Sequence, residues 1–270
     1  MLAQGFHNTT REQYDKLDAM NYSKLKYLAD CAARFRHECD NPRETTDALD
    51  FGNAFDLAMF EPLRFASEVV KARKINRQSN AGKAEYAAYV DENAGRLLID
   101  ADDYDTIEPM SKALWNHPAA SKYLALPGTL QHTAVWLDPG AQILCKGRFD
   151  CYKPDHQIIL DVKTTKNSKP WLFRSDVSAF GYDVQAAMYT MAAEIITGKP
   201  HRFLWLVVEK KPPFIPAVFE LDRGTMDAAQ QKVRNLLAKY ATCSTFDQWP
   251  GYSDDVIEIG LPDYTMEVSE

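Results

Sequence analysis

Apolar positions recur along this chain with two different periods, and their order predicts the fold. Helical spacing and stop signals predict helices at about 23–36, 51–61, 83–93, 103–116, 119–124, 179–196 and 224–241. Short apolar runs bounded by turn residues predict strands at about 130–137, 143–150, 157–163, 203–209 and 215–221. The pattern therefore predicts a mixed α/β (α+β) domain in which a central mixed β-sheet is flanked by helices.

Residues that favour helix ends and turns support these boundaries. Ser23 is suited to cap the first helix, and Pro62 ends the helix that carries Asp56. Gly140 and the segment 153–155 supply the turns between the first three strands. The predicted organisation is a flexible arm or oligomer contact over residues 1–20, a single domain over 21–245 and an acidic tail over 246–270.

Two adjacent strands carry the residues with the clearest chemistry. The first ends at Asp150, and the second carries Asp161 and Lys163 where its apolar run stops. Residues two apart on a strand point to one face, and pairing of the strands brings Asp150 beside them. Two carboxylates and a lysine suit a hard divalent cation and a phosphodiester, because carboxylates hold Mg²⁺ and the ion activates water. The same tripeptide also occurs at ordinary strand ends with a salt bridge.

Two helices offer further candidates. Gln185 and Tyr189 lie four residues apart and so share a helix face, where they either support a site or serve as a solvated side chain and a core aromatic. Asp56 is an acid embedded in a largely apolar helix. It either faces water or delivers a third metal ligand to the strand site, and the sequence does not separate these alternatives.

Taken in order, these pieces resemble a known superfamily. A helix of the form G-x-x-x-acid, a strand ending G-x-x-D, then D-x-K-T-T and a helix Q-x-x-x-Y is similar to the layout of the PD-(D/E)XK nucleases. More narrowly, the chain resembles the RecE-type (exodeoxyribonuclease VIII) recombination exonucleases of phages and prophages. The segments 22–28, 76–83 and 203–213 are similar to further parts of that family, so the resemblance covers roughly residues 20–240.

The resemblance implies a role for each matching residue. It implies metal ligation by Asp150, Asp161 and the backbone carbonyl of Val162, with Lys163 handling the nucleophilic water. Asp56 would be the helix ligand; RecE has histidine there and λ-type exonucleases glutamate, and an aspartate suits Mg²⁺ or Mn²⁺ better than imidazole does. Gln185 and Tyr189 would support the site or touch DNA. We expect Mg²⁺, with Mn²⁺ as an alternative, as two ions.

The resemblance also implies an activity. It implies an exonuclease that degrades the 5′-ended strand of linear double-stranded DNA, releases mononucleotides and leaves 3′ single-stranded tails for recombination. A single-strand annealing protein is the expected partner, and a homo-oligomeric ring would give processivity. The motif specifies phosphodiester hydrolysis but not end dependence, so an endonuclease of the same superfamily stays open. A catalytically inactive DNA-binding or assembly protein on this fold is the other alternative.

Composition changes this picture in two respects. The formal net charge of −7 is unfavourable for a DNA enzyme, so DNA contacts must come from local basic segments. The five cysteines show no C-x-x-C spacing and predict free thiols, and with neither a signal peptide nor an 18-residue apolar run in view we expect a cytoplasmic protein without membrane contact. The candidate DNA contacts are Arg73, Lys74, Arg77, Lys83, Thr164, Thr165, Lys166 and Trp171. A solvated basic loop, core packing or a mobile flap would explain members of this set equally well.

Overall fold

A computed structural model describes residues 2–41 and 45–260. Their eight strands are β1 (Gly5–His7), β2 (Val69–Lys71), β3 (Leu97–Ile99), β4 (Thr129–Leu137), β5 (Leu144–Lys153), β6 (Ile158–Thr165), β7 (Arg202–Glu209) and β8 (Pro216–Phe219). Six of them form one sheet in the order β1-β4-β5-β6-β7-β8, in which only β6 and β7 run parallel. Strands β2 and β3 form a small parallel pair of their own. The predicted mixed sheet is confirmed.

The described helices are α1 (Arg11–Asp15), α2 (Tyr22–Asp30), α3 (Ala32–Asp40), α4 (Asp47–Phe60), α5 (Pro62–Glu68), α6 (Asn80–Glu92), α7 (Ala101–Asn116), α8 (Pro118–Leu124), α9 (Pro170–Phe180), α10 (Tyr182–Thr197) and α11 (Arg223–Phe246). Within the described ranges, no helix combines the length and the apolar character needed to cross a membrane. Helices cover both faces of the main sheet, so the fold class predicted from the periodicity is confirmed in this respect as well.

Two hydrophobic cores lie on opposite faces of the main sheet. The first packs α2, α3, α10 and α11 against the side chains of Phe149 and Trp205. The second packs α4, α7 and α8 against Leu160 and Leu206. Successive residues of a strand point to opposite faces, and a strand covered on both faces is apolar throughout. This explains the uninterrupted apolar run that begins β6.

The N-terminal segment differs from its prediction as a flexible arm. Residues Gly5–His7 pair antiparallel with β4, and Phe6 stacks on His132 with its ring centroid 5.2 Å away. No periodic pattern in the sequence predicts this strand, because three residues are too few to show an alternation. The first helix also differs: Asn21 rather than Ser23 caps α2, and an extended Cys31 separates α2 from α3.

The acidic tail is described as far as residue 260, and residues 261–270 lie outside the described part. Its beginning docks on the domain, because Trp249 stacks on Phe35 with ring centroids 5.2 Å apart. The Tyr252 hydroxyl donates a hydrogen bond to Asp30 at 2.9 Å. The segment following α11 is therefore partly held against α2 and α3.

Candidate active site

The pairing of β5 with β6 opens at the predicted catalytic residues. The antiparallel ladder runs through Lys153↔Ile158 and Tyr152↔Ile159 and ends at Cys151↔Leu160. Continuing the same register would place Asp150 opposite Asp161, one step beyond the last ladder pair. The two aspartates therefore lie side by side where the strands separate, close enough for the Asp161 carboxylate to raise the pKa of Asp150.

The other neighbour of β5 is irregular at the same point. The β4–β5 ladder pairs Leu130 with Cys151 and His132 with Phe149 but omits the intervening pair. Gln131 has a φ of 50°, a left-handed conformation uncommon for a residue with a Cβ atom. Along β5 the side-chain alternation also shifts, because Phe149 and Tyr152 both lie in the first core although they are three residues apart. A local backbone irregularity thus sets the direction of Asp150.

Asp161, Lys163 and Gln185 form a buried contact network. The Lys163 Nζ lies 2.5 Å from Asp161 Oδ2, and the two side chains are 19% and 3% exposed. On the other side, the Gln185 side-chain amide donates a hydrogen bond of 2.7 Å to Asp161 Oδ1. Helix α10 supplies that amide from its buried face. Both oxygens of Asp161 are thus held by groups that fix the carboxylate in one orientation.

Helix α4 brings Asp56 to the same place. Asp56 is half-buried, and burial together with the nearby Asp150 carboxylate raises its pKa well above 3.8. Burial and then the Asp161 carboxylate raise the pKa of Asp150 to about 7, although Lys163 and the backbone N–H of Val162 act against this. These mutual influences show that the three aspartates share one electrostatic environment. Asp56 also lines the same cleft as Lys163, so its side chain faces the strand site.

The same carboxylates raise the pKa of Lys163. Burial alone would lower its pKa, but the carboxylates of Asp161 and Asp150 outweigh burial and hold the pKa of Lys163 above its ordinary value. Its ammonium also lies 5.0 Å from the centre of the Tyr182 ring. Lys163 is therefore a fixed positive charge at neutral pH, so it acts as a charge or hydrogen-bond donor rather than as a base.

The donor set fits a hard divalent cation. Carboxylate oxygens are the ligands that Mg²⁺ and Mn²⁺ prefer, and a cation would favour the ionised form of Asp150, whose pKa is raised by burial and by the Asp161 carboxylate. Gln185 Oε1 is a buried acceptor without a hydrogen-bond partner among the described residues. Over residues 2–41 and 45–260, no three acidic, histidine or cysteine side chains close around one point as a metal-binding group. In the part of the chain that the structure describes, the acidic side chains are therefore not arranged as a closed, preformed cluster.

Tyr189 has a packing position beneath this site. It is 7% exposed, and its ring lies 4.7 Å from that of Phe149. A Cβ atom added at Gly147 would lie 3.0 Å from the Tyr189 ring, so the glycine makes room for the tyrosine. Of the two helix residues predicted to share a face, Gln185 contacts the acid and Tyr189 supports the strand that presents it.

A cleft of about 710 Å³ opens over the site. Its lining includes Asp56, Lys163 and Gln185 from the network already described, and Thr164, Thr165 and Lys166 from the candidate DNA contacts. Volumes of this order are typical of small-molecule and cofactor sites. The cleft also contains Tyr22, Tyr182, Asp176 and Lys210, which the sequence analysis did not identify as site residues. Tyr22 and Lys210 lie in segments already noted as similar to the family, whereas Asp176 and Tyr182 carry no local motif; the four come together only through the tertiary fold.

The predicted basic segment around residues 71–83 lies elsewhere. Lys74 Nζ is 2.8 Å from Asp102, and the neighbouring Lys71 is similarly paired with Asp105. Arg73 and Arg77 lie over the rings of Tyr89 and Tyr86. Neither these residues nor Lys83 are among the described residues that line the cleft. The segment is basic in sequence, but its lysines at 71 and 74 are neutralised by acids on α7.

Trp171 is also separate from the cleft lining. It is 58% exposed on α9, and Lys169 Nζ lies 5.6 Å from the centre of its ring. The neighbouring Phe173, by contrast, is 2% exposed and belongs to the first core. Trp171 thus stays available on the surface beside the cleft, and Phe173 packs in the interior.

Comparison with other proteins places this geometry in a family. The sequence model of the PDDEXK-like domain of unknown function (DUF3799) matches residues 21–259. No protein with a curated description matches the chain. The chain is similar in structure to a protein of Eubacterium rectale provisionally described as an exonuclease, with 15% identity and a TM-score of 0.64 over 98% of this chain and 100% of that one.

A second structure is more distant. A phage-related exonuclease of Haemophilus somnus 129PT has 10% identity and a TM-score of 0.32, with 72% of this chain and 94% of that one covered. The resemblance to PD-(D/E)XK nucleases seen in the sequence is confirmed by the family match, which spans most of the chain and all of the strands that carry Asp150, Asp161 and Lys163. The chain belongs to the family of PDDEXK-like domains of unknown function.

Proposed function

We propose that this protein is a metal-dependent exonuclease that hydrolyses phosphodiester bonds from the ends of linear double-stranded DNA. The observation that carries the proposal is the position of Asp150, Asp161 and Lys163 where β5 and β6 separate, with Lys163 lining a cleft. Hydrolysis adds water across one P–O ester bond, so the site must hold a water, stabilise negative charge on the phosphate and release an alcohol. The residues in this cleft provide for the first two requirements.

Each residue has a task in this proposal. Asp150 and Asp161, with Asp56 and the Val162 carbonyl, would hold two Mg²⁺ ions, and Mn²⁺ is a chemically similar substitute. When bound, the ions supply Lewis-acid activation of water and neutralise charge on the phosphate. Lys163 keeps its proton because of its acidic neighbours, so it would orient the water or stabilise the developing anion. The Gln185 amide holds Asp161 in the orientation that ligation requires.

The finer features of the activity rest on the resemblance seen in the sequence. These are degradation of the 5′-ended strand, release of mononucleotides and production of 3′ tails for recombination. A single-strand annealing protein as partner, and a homo-oligomeric ring as the assembled form, belong to the same proposal. The structural neighbour from Eubacterium rectale supports the choice of fold, and the family description supports the nuclease class.

One assay tests the proposal directly. Linear duplex DNA with a 5′ phosphate, labelled at either end in separate samples, is incubated with the protein in Mg²⁺ and in EDTA. We expect early release of the 5′ label as mononucleotide in Mg²⁺, no release in EDTA and no attack on covalently closed circles. Nicked circles or internal fragments would indicate an endonuclease instead. Binding of DNA without cleavage in either metal would indicate an inactive scaffold.

A substitution of Asp161 tests the assignment of the site. Asp161→Asn keeps the size of the side chain and removes the charge, so it should abolish cleavage while the protein stays folded. Retained folding is checked by circular dichroism and thermal unfolding. Undiminished cleavage by the folded variant would refute the assignment of this site.

A further inference from the structure

Two lysines follow the ends of the parallel strands beside the candidate active site. Strands β6 and β7 end in the ladder pair Thr165↔Glu209, and Lys166 and Lys210 are the next residues of each chain segment. The backbone N–H of Lys210 donates to the Thr165 carbonyl at 3.0 Å, so the two segments stay together beyond the ladder. Both lysines line the cleft that contains Lys163.

Within the described residues, no carboxylate forms an ion pair with either lysine. Among the described residues Lys166 and Lys210 make no ion pair, whereas Lys163 pairs with Asp161. The ammonium of Lys210 instead lies 4.2 Å from the centre of the Phe51 ring, which holds a cation in place without cancelling its charge. Burial lowers the pKa of Lys210, and repulsion by Lys166 adds to this effect while Asp103 opposes it.

Two acids near these strand ends have hydrogen-bond partners of their own. Glu209 accepts hydrogen bonds from the backbone and hydroxyl of Ser168, at 2.8 and 3.1 Å. Asp176 accepts a hydrogen bond of 2.9 Å from the Thr165 hydroxyl. These contacts fix the loop that follows β6, and neither Glu209 nor Asp176 forms an ion pair with Lys166 or Lys210, although Asp103 lies close enough to Lys210 to affect its pKa. Lys166 is among the groups that lower the pKa of Lys210, and a bound anion would offset this repulsion.

We propose that Lys166 and Lys210 form a second phosphate subsite, which binds a phosphodiester flanking the one that is hydrolysed. This deepens the proposed function and rests on it for the identity of the anion as part of a nucleic-acid strand. Such a strand carries a phosphate at every nucleotide, so a strand with one phosphate at Asp161 and Lys163 brings its neighbours along the same cleft. Lysine binds phosphate as a point charge, and this fixes position rather than sequence.

The first test measures binding without cleavage. A fluorescently labelled DNA strand and its duplex are titrated with protein in EDTA at several salt concentrations, and anisotropy gives Kd. Each phosphate contact contributes about 0.7 to 0.9 to the slope of log K against log salt. The double variant Lys166→Gln, Lys210→Gln should therefore lose about 1.5 from that slope and bind more weakly at low salt.

The control removes a lysine outside the cleft. Lys239 is exposed on α11 and makes no ion pair among the described residues, so Lys239→Gln changes the net charge without touching the subsite. We expect this variant to keep the wild-type slope. A double variant that binds like the Lys239 variant would overturn the subsite, as would a wild-type protein that does not bind DNA.

The second test locates the subsite on the strand. Substrates carry one neutral methylphosphonate linkage at successive positions beside the scissile bond. Wild-type cleavage should fall sharply for one flanking position, and the double variant should be slow on every substrate but insensitive to that position. Equal sensitivity in the two proteins would refute the subsite even though cleavage occurs. DNA binding with the predicted slopes but no cleavage would refute the proposed activity and leave the subsite standing.

Discussion

Replacement of Asp150 by asparagine should make the metal-free protein more stable at neutral pH. Asp150 is half-buried beside Asp161, and its pKa is raised from 3.8 to about 7, first by burial and then by the Asp161 carboxylate. The folded protein therefore retains a proton on this group that the unfolded chain loses at a lower pH. Stability is fully present below the unfolded pKa and falls as the pH rises towards the folded pKa.

The size of the effect follows from these two pKa values. With pKa values of 3.8 and about 7, linkage predicts that the free energy of unfolding falls by about 2.5 kcal/mol between about pH 5 and pH 8. An asparagine side chain has no proton to lose in this range, so the variant should lack this component. Other groups titrate in the same range, including His132 and His201, and the difference between the two proteins cancels their contribution.

The assay is urea denaturation at pH 5 and pH 8, in EDTA and in Mg²⁺, followed by circular dichroism. In EDTA the wild type should lose more stability than Asp150→Asn as the pH rises. Mg²⁺ should stabilise the wild type most at pH 8, because the ion binds only the ionised carboxylates, and should have little effect on the variant. Identical pH dependence of the two proteins in EDTA would refute the reasoning that Asp150 and Asp161 repel each other in the folded state.

Three further predictions concern the groups around this pair. Gln185→Leu leaves Asp161 Oδ1 without its donor, and cleavage or Mg²⁺ affinity should fall by about 10- to 100-fold in a metal titration of the nuclease assay. Asp56→Ala should lose most of the nuclease activity, while Asp56→His keeps part of it. Full activity of the alanine variant would show that Asp56 takes no part in catalysis. Gly147→Val forces a side chain against Tyr189 and should lower the free energy of unfolding by about 1–3 kcal/mol, and an unchanged urea midpoint would contradict that close packing.

The parts of this fold that could be predicted are those that local patterns determine. The five strands from residue 130 onward were predicted close to their described bounds, because each is a short apolar run closed by turn residues. Strand β1 was missed, since its three residues pair with β4 more than a hundred positions away. Helix α9 was also missed; it begins at Pro170 and ends before Gly181, and its apolar side is shared between the core and the surface.

In the candidate active site, too, local patterns predicted some features and the tertiary structure determined the others. Spacing on a strand and on a helix was enough to place Asp161 with Lys163 and to put Gln185 on a face shared with Tyr189. No local pattern indicated the left-handed Gln131 or the end of the β5–β6 ladder at Cys151, because both depend on how neighbouring strands are joined. Tyr182 was missed for a similar reason, since its contact with Lys163 joins a helix start to a strand end.

The acidic net charge can be reconciled with a phosphate-binding cleft once the pairing of charges is known. A sequence weighs every lysine equally, and on that basis the 71–83 segment was one of two candidate DNA contacts, the other being the residues that follow β6. In the structure Lys71 and Lys74 are neutralised on α7, so their field at a distance is weak. Lys166 and Lys210 have no acidic partner among the described residues and line the cleft itself. Arg73, Arg77 and Lys83 also lack an acidic partner among the described residues, but they lie outside the cleft lining. Under the proposed function, position in the cleft as well as pairing therefore determines which charges a strand with phosphates would contact.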